Sequence, residues 1–410
     1  MVPLESYQKN RTKRLCNRCS SPDLSYLWPW MVGGLLVALF SIGWPAPAHA
    51  DGGAPNLAYV TGAASGMSVI DVAQRRVVRT MAVSGDPRMA LLSPDGSLLY
   101  TSEPASHRVL AIQASNGTPH CSATVSGQPS ALALSPQNDA LYVAGSADAH
   151  ISVLDPQSCK LLRRFATLGP VVALGISLLG GAFPTHTGLY QIWVATADQV
   201  IAYDTDGTML EQFPVDGPQG FCIPSNSFAI YVSTRQGTVV AIDLVLHTVT
   251  APLLQSDAIG TMDYNAATGE IYVPDTRHQQ ILVLSPITPG QAVSTGTIAQ
   301  RLALDGSPVS VAITSDGQLG FAALQDGRVA MFDVPGRKLI TTITVGGQPH
   351  FIITGLYPPV PAQSPTQSTS ADFSVPWRTL LFVFFVLLFC ASCIGLVWLL
   401  VFQRKPHDPS

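Results

Sequence analysis

The sequence predicts an all-β protein: a seven-bladed β-propeller of four-stranded antiparallel blades, closed by one composite blade and followed by a C-terminal transmembrane helix. Three observations carry this. A grammar of about 40 to 50 residues recurs seven times along the chain. Glycine and proline, 34 and 32 of 410 residues, are spread out, as many tight turns require. Finally, an uncharged apolar run near the C-terminus is long enough to cross a bilayer, in keeping with only 12% charged residues and a mean hydropathy of +0.29.

Residues 1–50 read as a basic leader and export signal. Lys9, Arg11, Lys13, Arg14 and Arg18 precede an apolar run over 27–44, and Ala48-His49-Ala50 before Asp51 fits the small-x-small pattern of a signal-peptidase site. Cleavage after Ala50 is the first reading. The long basic region, and the interruption of the run by Pro29 and Gly33-Gly34, leave open a leader retained as a second anchor.

Residues 51–356 hold the repeats. Aromatic residues recur at Tyr59, Tyr100, Tyr142, Trp193, Tyr231, Tyr272 and Phe321, spaced by 41, 42, 51, 38, 41 and 49. Each begins an aromatic-valine strand, followed by an alternating strand ending near an aspartate (Asp71, Asp155, Asp204, Asp243, Asp333). A third strand comes next, then a turn marked by Pro87, Pro129, Pro170, Pro218, Pro308 or Pro349, and an apolar strand such as MALLS. A turn such as Ser93-Pro94-Asp95-Gly96 closes the unit, Pro presetting φ and Gly accepting a positive one. One four-stranded sheet cannot bury both faces, but seven packed around an axis can.

The phase of the repeat predicts how the ring closes. The chain enters on an aromatic-valine strand and ends on the apolar strand alone, Gly347-Gln348-Pro349-His350-Phe351-Ile352-Ile353-Thr354. One blade should therefore take its inner strand from about 350–354 and its outer three from about 57–84, leaving no open seam.

Beyond the repeats, 357–376 is a Pro/Ser/Thr-rich stretch without apolar periodicity and reads as a stalk. The uncharged run opens at Leu380 and closes at Phe402, 23 residues that span about 34 Å as a helix, so 377–403 is assigned to a membrane helix and 404–410 to a cytoplasmic tail. Arg404 and Lys405 outvote Arg378 for the cytoplasmic side, placing the repeats on the extracytoplasmic side of the cell membrane.

YVTGAASGMSVIDV, LLSPDGSLLYTSE, LALSPQNDALYVAG and AIYVSTRQGTVVAID together resemble the YVTN-repeat β-propellers, relatives of surface-layer and NHL-type propellers, over about residues 55–355. The resemblance implies the propeller fold and an extracytoplasmic setting, and it names no ligand. The fourth unit departs from the pattern by an insertion, LLGGAFPTHTG, and the sixth by a long PITPGQAVSTGTIAQ loop. Gln113 and Ser285 replace the repeated aspartate.

Function is less legible. Propeller ligands approach the mouth of the central channel, where loops entering the inner strands meet those joining the second and third strands. Candidate ligand-binding residues there are Asp86, Arg88, His107, His150, Asp216, Asp275, His278 and His350, with His350 singled out by its place after a proline at the head of an inner strand. No catalytic residue, metal ligand or cofactor is assigned. Motifs for nucleophilic serine, zinc-protease and phosphate-loop chemistry are absent. Residues 51–376 carry 14 Lys and Arg against 23 Asp and Glu, a net of −9 that disfavours nucleic acid. Cys16 and Cys19 make only half of a zinc site, and Cys390 and Cys393 fall in the membrane run. Cys121 and Cys159, read as outer-strand positions of neighbouring repeats, are placed to bridge, leaving Cys222 over. The expected function is a membrane-anchored module that binds or scaffolds a protein or small ligand at the cell envelope. The alternative is a lactonase-type propeller hydrolase, against which the apolar or small inner strands MALLS, ALALS, VALGIS and VAITS weigh.

Overall fold

The computed structural model describes residues 56–178, 190–224, 228–291 and 296–355. The leader, most of the fourth-unit insertion, the stalk, the membrane run and the cysteines at 16, 19, 390 and 393 lie outside the described residues. Among the described residues no helix is long and apolar enough to cross a membrane.

The first strands are β1 (Leu57–Ala63), β2 (Gly66–Asp71) and β3 (Arg76–Ala82). Blade two comprises β4 (Met89–Leu92), β5 (Leu98–Glu103), β6 (Arg108–Gln113) and β7 (Pro119–Thr124), and blade three β8 (Pro129–Leu134), β9 (Leu141–Gly145), β10 (His150–Leu154) and β11 (Leu161–Ala166). Blade four contains β12 (Ala173–Ser177), β13 (Gln191–Ala195), β14 (Gln199–Tyr203) and β15 (Met209–Pro214). Blade five is formed by β16 (Pro218–Cys222), β17 (Ala229–Thr234), β18 (Thr238–Asp243) and a broken outer strand, β19 (Thr248–Val249) with β20 (Leu254–Gln255). Blade six is built from β21 (Asp263–Tyr264), β22 (Ile271–Asp275), β23 (Gln280–Leu284) and β24 (Ile298–Ala303); blade seven from β25 (Pro308–Ile313), β26 (Leu319–Leu324), β27 (Arg328–Asp333) and β28 (Lys338–Thr344). The last strand, β29 (Phe351–Gly355), returns to pair with β1, giving the order β29-β1-β2-β3 and making blade one composite, as the repeat phase requires. The fold is thus a seven-bladed propeller of antiparallel meanders.

Seven hydrophobic clusters stand at the seven seams, each drawing residues from two adjacent blades. The repeated aromatics sit on the second strands and are at most 2% exposed. Three of these rings have their polar atom partnered at the seam: Tyr142 and Tyr190 share a hydrogen bond of 2.8 Å, Trp193 Nε1 donates to Ser177 Oγ at 3.0 Å, and Tyr231 OH accepts the Ile287 N–H at 2.9 Å, whereas the buried hydroxyls of Tyr100 and Tyr272 have no partner among the described residues. That last contact also places the long sixth-unit loop, which folds onto blade five and gives the Gly290 N–H to Asp243 Oδ2 at 2.8 Å.

Six of the seven outer strands carry a bulge at the same repeat position. Partners jump from Arg79 to Val77, Cys121 to Pro119, Arg163 to Leu161, Glu211 to Met209, Gln300 to Ile298 and Thr341 to Leu339. One extra residue twists the free edge of each blade. Blade five instead interrupts its outer strand between β19 and β20, at a segment containing Pro252.

Cys121 and Cys159 form a disulfide between blades two and three. Cys121 is on the outer strand β7, as expected, but Cys159 is not on a strand. It occupies the turn after β10 with φ +56°, in a loop whose amide N–H groups at Gln157 and Ser158 are taken up by Asp155 Oδ1. The aspartate thus shapes the turn that brings Cys159 to the neighbouring rim. Cys222 is free and buried.

Candidate functional site

Loops entering the first strands and loops joining second to third strands open on one face of the ring. All eight sequence candidates lie there. Asp86 and Arg88 are between β3 and β4, His107 between β5 and β6, His150 at the head of β10 and Asp216 between β15 and β16. Asp275 ends β22, His278 follows it, and His350 immediately precedes β29. They do not converge on one point.

Most of this polar ring is absorbed by a latch that repeats from blade to blade, tying the loop that enters a blade to the loop between its second and third strands. In blade two Arg108 donates to Ser84 Oγ at 3.1 Å and to the fully buried Glu103 carboxylate at 2.6 Å. Blade three joins Ser126 to Asp148 at 2.7 Å, with His150 Nδ1 on the other carboxylate oxygen at 2.7 Å. Blade five joins Gln236 to Asp216 at 2.9 Å. Blade six joins Ser256 to Asp275 at 2.8 Å, with His278 and Gln280 also on that carboxylate, and blade seven joins Arg328 to Asp305 at 2.7 Å and to Asp326. His107 stands apart, an exposed residue with φ +51° closing the 3-10 turn Pro104–Ser106.

Three of the latched acids, Asp148, Asp275 and Asp326, are held below the usual carboxylate range. The hydrogen bonds from His150 and Ser126 hold Asp148 below the usual carboxylate range. Burial pushes Asp275 up, but hydrogen bonds from Gln280, Ser256 and His278 outweigh it and leave that carboxyl low. Asp326 is lowered chiefly by the Arg328 hydrogen bond. None of these three is poised as a proton donor near neutrality.

His350 makes a different contact. Its Nε2 meets Asp86 Oδ1 at 2.9 Å, and Arg88 reaches the other Asp86 oxygen at 2.8 Å and His350 Nδ1 at 3.4 Å. Asp86 and Arg88 belong to the entry loop of blade two and His350 to that of blade one, so this cluster crosses a seam at the point of ring closure. His350 also packs over Gly62, where a Cβ would lie 2.7 Å from the imidazole and 2.2 Å from the Gln348 carbonyl oxygen. Only a glycine, with its φ of +75°, fits there.

Blade six breaks the repeat, and it does so at the mouth. In blades three, five and seven the inner strand opens on a proline, Pro129, Pro218 and Pro308. Blade six has Ile259-Gly260 at that place and carries its proline one strand over, at Pro274. Pro274 accepts the Gly260 N–H through its carbonyl but has no N–H to return. The inner segment turns instead to blade seven: the Thr261 N–H donates to the Val309 carbonyl, the Val311 N–H donates back, and Thr261 bridges Ser310 in parallel. Regular pairing resumes only at the two-residue β21. Gly260 is required by the approach, since a Cβ would sit 2.4 Å from the Val309 carbonyl oxygen. The displaced segment leaves a cavity of about 340 Å³ lined by Gln219, Gly220, Ser233, Ile259, Gly260, Thr261, Thr276 and Val309.

The same irregularity puts an acid on the channel wall. The inner strands were expected to be apolar or small, but β21 begins with Asp263, whose Oδ2 accepts the Ile313 N–H of blade seven at 2.7 Å. Burial pushes this carboxyl up to about 6 against the lowering effect of the Ile313 and Tyr264 amides. Between pH 3.8 and about 6 the folded chain therefore keeps a proton that the unfolded chain releases. Stability contributed by the neutral acid is present below that window and lost as pH rises through it, about 3 kcal/mol for a shift of this size. Asp263→Asn should raise the urea midpoint at pH 7, change little near pH 3.5, and flatten the slope between. An unchanged pH profile would remove Asp263 as its source. The sequence did contain a signal for both features: IYVPD has proline where the other second strands have Thr, Ser or Ala, and the expected proline before TMDY is missing.

No protein-family model matches the chain, and no curated protein matches its sequence. Solved structures do match. Hydrazine synthase of Kuenenia stuttgartiensis aligns at 17% identity and a TM-score of 0.54, covering 67% of this chain and 91% of that one. The dihydro-heme d1 dehydrogenase NirN aligns at 14% and 0.53, covering 75% and 77%. A functionally unknown protein from Desulfotomaculum acetoxidans DSM 771 aligns at 14% and 0.57, covering 73% of this chain and 99% of that one. At such identities the likeness establishes the β-propeller fold and nothing further about what the chain does.

Proposed function

We propose that this is a membrane-anchored, extracytoplasmic binding module of the YVTN-repeat type, which engages a protein or small ligand through the channel mouth. One observation carries the reading. Inner strands run from the mouth to the opposite face, so β29 leaves the ring at Gly355 on the face away from the mouth, paired there with Leu57, where β1 enters. Both connections to the flanking segments therefore leave from the far face, and an anchor at 377–403 on the stalk 357–376 would turn the mouth outward from the lipid. The Cys121–Cys159 bridge supports an oxidising compartment, and acids held ionised suit recognition better than proton transfer.

The test places a photocrosslinking residue at position 86 or 350 on the mouth, or at 206 on the opposite face, in full-length protein in intact cells. Adducts are expected from the mouth positions alone, and they should be lost when a membrane-impermeant quencher is added outside the cells. Equal adducts from 206, or insensitivity to an external quencher, would count against the proposal.

A second reading, a lactonase-type hydrolase, has one observation in its favour, the Asp263 carboxyl pushed up to about 6 on the channel wall. Turnover of a sugar lactone that disappears in Asp263→Asn would support it, and turnover indifferent to that change would dismiss it.

A further inference from the structure

We infer that the blade-six cavity is a binding site for a neutral, polyhydroxylated ligand of about one sugar ring. This rests on the reading of the mouth as a binding face and names the chemistry that part of it selects. The cavity, about 340 Å³, lies at the small end of ligand-pocket sizes. It exists because blade six departs from the repeat, through Pro274, Gly260 and the segment that pairs with blade seven.

No lining residue carries a charge. A carboxylate, phosphate or ammonium would be desolvated there without a counter-charge, whereas hydroxyl groups can exchange water for protein partners at little cost. The Gly260 and Thr261 N–H groups and the Thr261 carbonyl are already committed to Pro274, Val309 and Val311. The side chains keep capacity in reserve. The Thr261 hydroxyl makes no hydrogen bond among the described residues, and Ser233 Oγ has only a 3.5 Å contact to the Gly220 carbonyl. Gln219 gives its Nε2 to the Ile259 carbonyl at 2.9 Å and keeps Oε1 as an acceptor, while Thr276 donates to Pro308 at 2.7 Å and retains its lone pairs. Donors and acceptors thus surround an opening whose remaining walls, Ile259 and Val309, are aliphatic. Hydroxyls in the plane of a ring and an apolar C–H face meet that arrangement on both counts. The charged Asp86–Arg88–His350 cluster, built on other blades, is not needed for it.

The experiment uses the full chain in a polyoxyethylene detergent, so that no sugar head group competes, with ligand-observed saturation-transfer NMR and calorimetry. Probes are glucose, galactose and N-acetylglucosamine, set against glucuronate as a charged partner of the same size. At least one neutral sugar is expected to bind, glucuronate at least about tenfold more weakly. Thr261→Val and Ser233→Ala should each weaken the neutral sugar by about fivefold to tenfold at unchanged melting temperature, while Lys338→Ala, at an exposed position of the outer strand β28, should change it less than about twofold. Thr276→Val provides a second variant if either of the first two lowers the melting temperature. Preference for glucuronate, indifference to the Thr261, Ser233 and Thr276 substitutions, or no neutral-sugar signal even at about 50 mM would overturn the inference. Persisting crosslinks from position 350 in that last case would show that the binding reading survives while this ligand class fails.

Discussion

A chain cut before β29 should lose the propeller altogether. The strand supplies the inner edge of blade one through five consecutive partners, from Thr61 with Phe351 to Leu57 with Gly355, and Ile352 is 1% exposed in the cluster shared with blade seven. Without it the seams to blades two and seven both open, because β29 also packs on β4 and β25. Truncation after 347 should abolish the cooperative thermal transition that truncation after 356 retains, followed by circular dichroism on the purified fragments. A synthetic peptide of residues 348–356, supplied in excess, should restore the transition by adding the missing strand in trans. A cooperative transition in the shorter fragment would mean that blade one closes on something other than β29.

The second large effect belongs to the rim. Cys121 and Cys159 are 38 residues apart, and cross-linking a loop of that length restricts the unfolded chain by about 4 kcal/mol in the loop-entropy account. Cys121→Ser and Cys159→Ser should each lower stability by roughly that amount, and the double variant should cost no more than either single change, since one bond is lost in all three. The wild type under reducing conditions should fall to the same level. The seam between blades two and three retains the contact of His120 Nε2 with the Gln157 carbonyl at 2.9 Å, so the variants should still fold. Additive losses would show that the two residues act separately rather than through the bond. Cys222 is buried away from this seam, and burial pushes its thiol well up, which keeps it out of exchange with the bond.

The ring was legible wherever one residue type has a single physical role in every repeat. A buried aromatic on each second strand is such a case, and so is the isolated inner-strand motif Gln348-Pro349-His350-Phe351, which announces composite closure. Contacts between loops were less legible. The latch partners Ser126 and Asp148, Asp216 and Gln236, Ser256 and Asp275, and Asp305 and Arg328 are separated by 22, 20, 19 and 23 residues. That spacing is half a repeat and has no local signature. Read singly, these residues look like ligands at a mouth; read together, they are mostly fasteners. His350 stands out in the sequence by its place after the proline at the head of an inner strand, but that place does not reveal that its partner lies 264 residues away in Asp86. Blade six is hard to read from the sequence for the opposite reason. Its cavity and Asp263 come from an absent proline and a misplaced one, and a missing member of a pattern is harder to notice than a present one.

A wheel of blades has as many outer rims as blades, and each rim presents a row of unpaired amide and carbonyl groups to its neighbours. Copies tethered side by side in a plane meet rim to rim far more often than copies tumbling in solution. The extra residue in six outer strands, and the break in the seventh, spoil the straight register that two such rims need in order to zip together. If the chain is anchored as proposed, crowding on a surface would then raise the local density of channel mouths without turning the array into a continuous sheet.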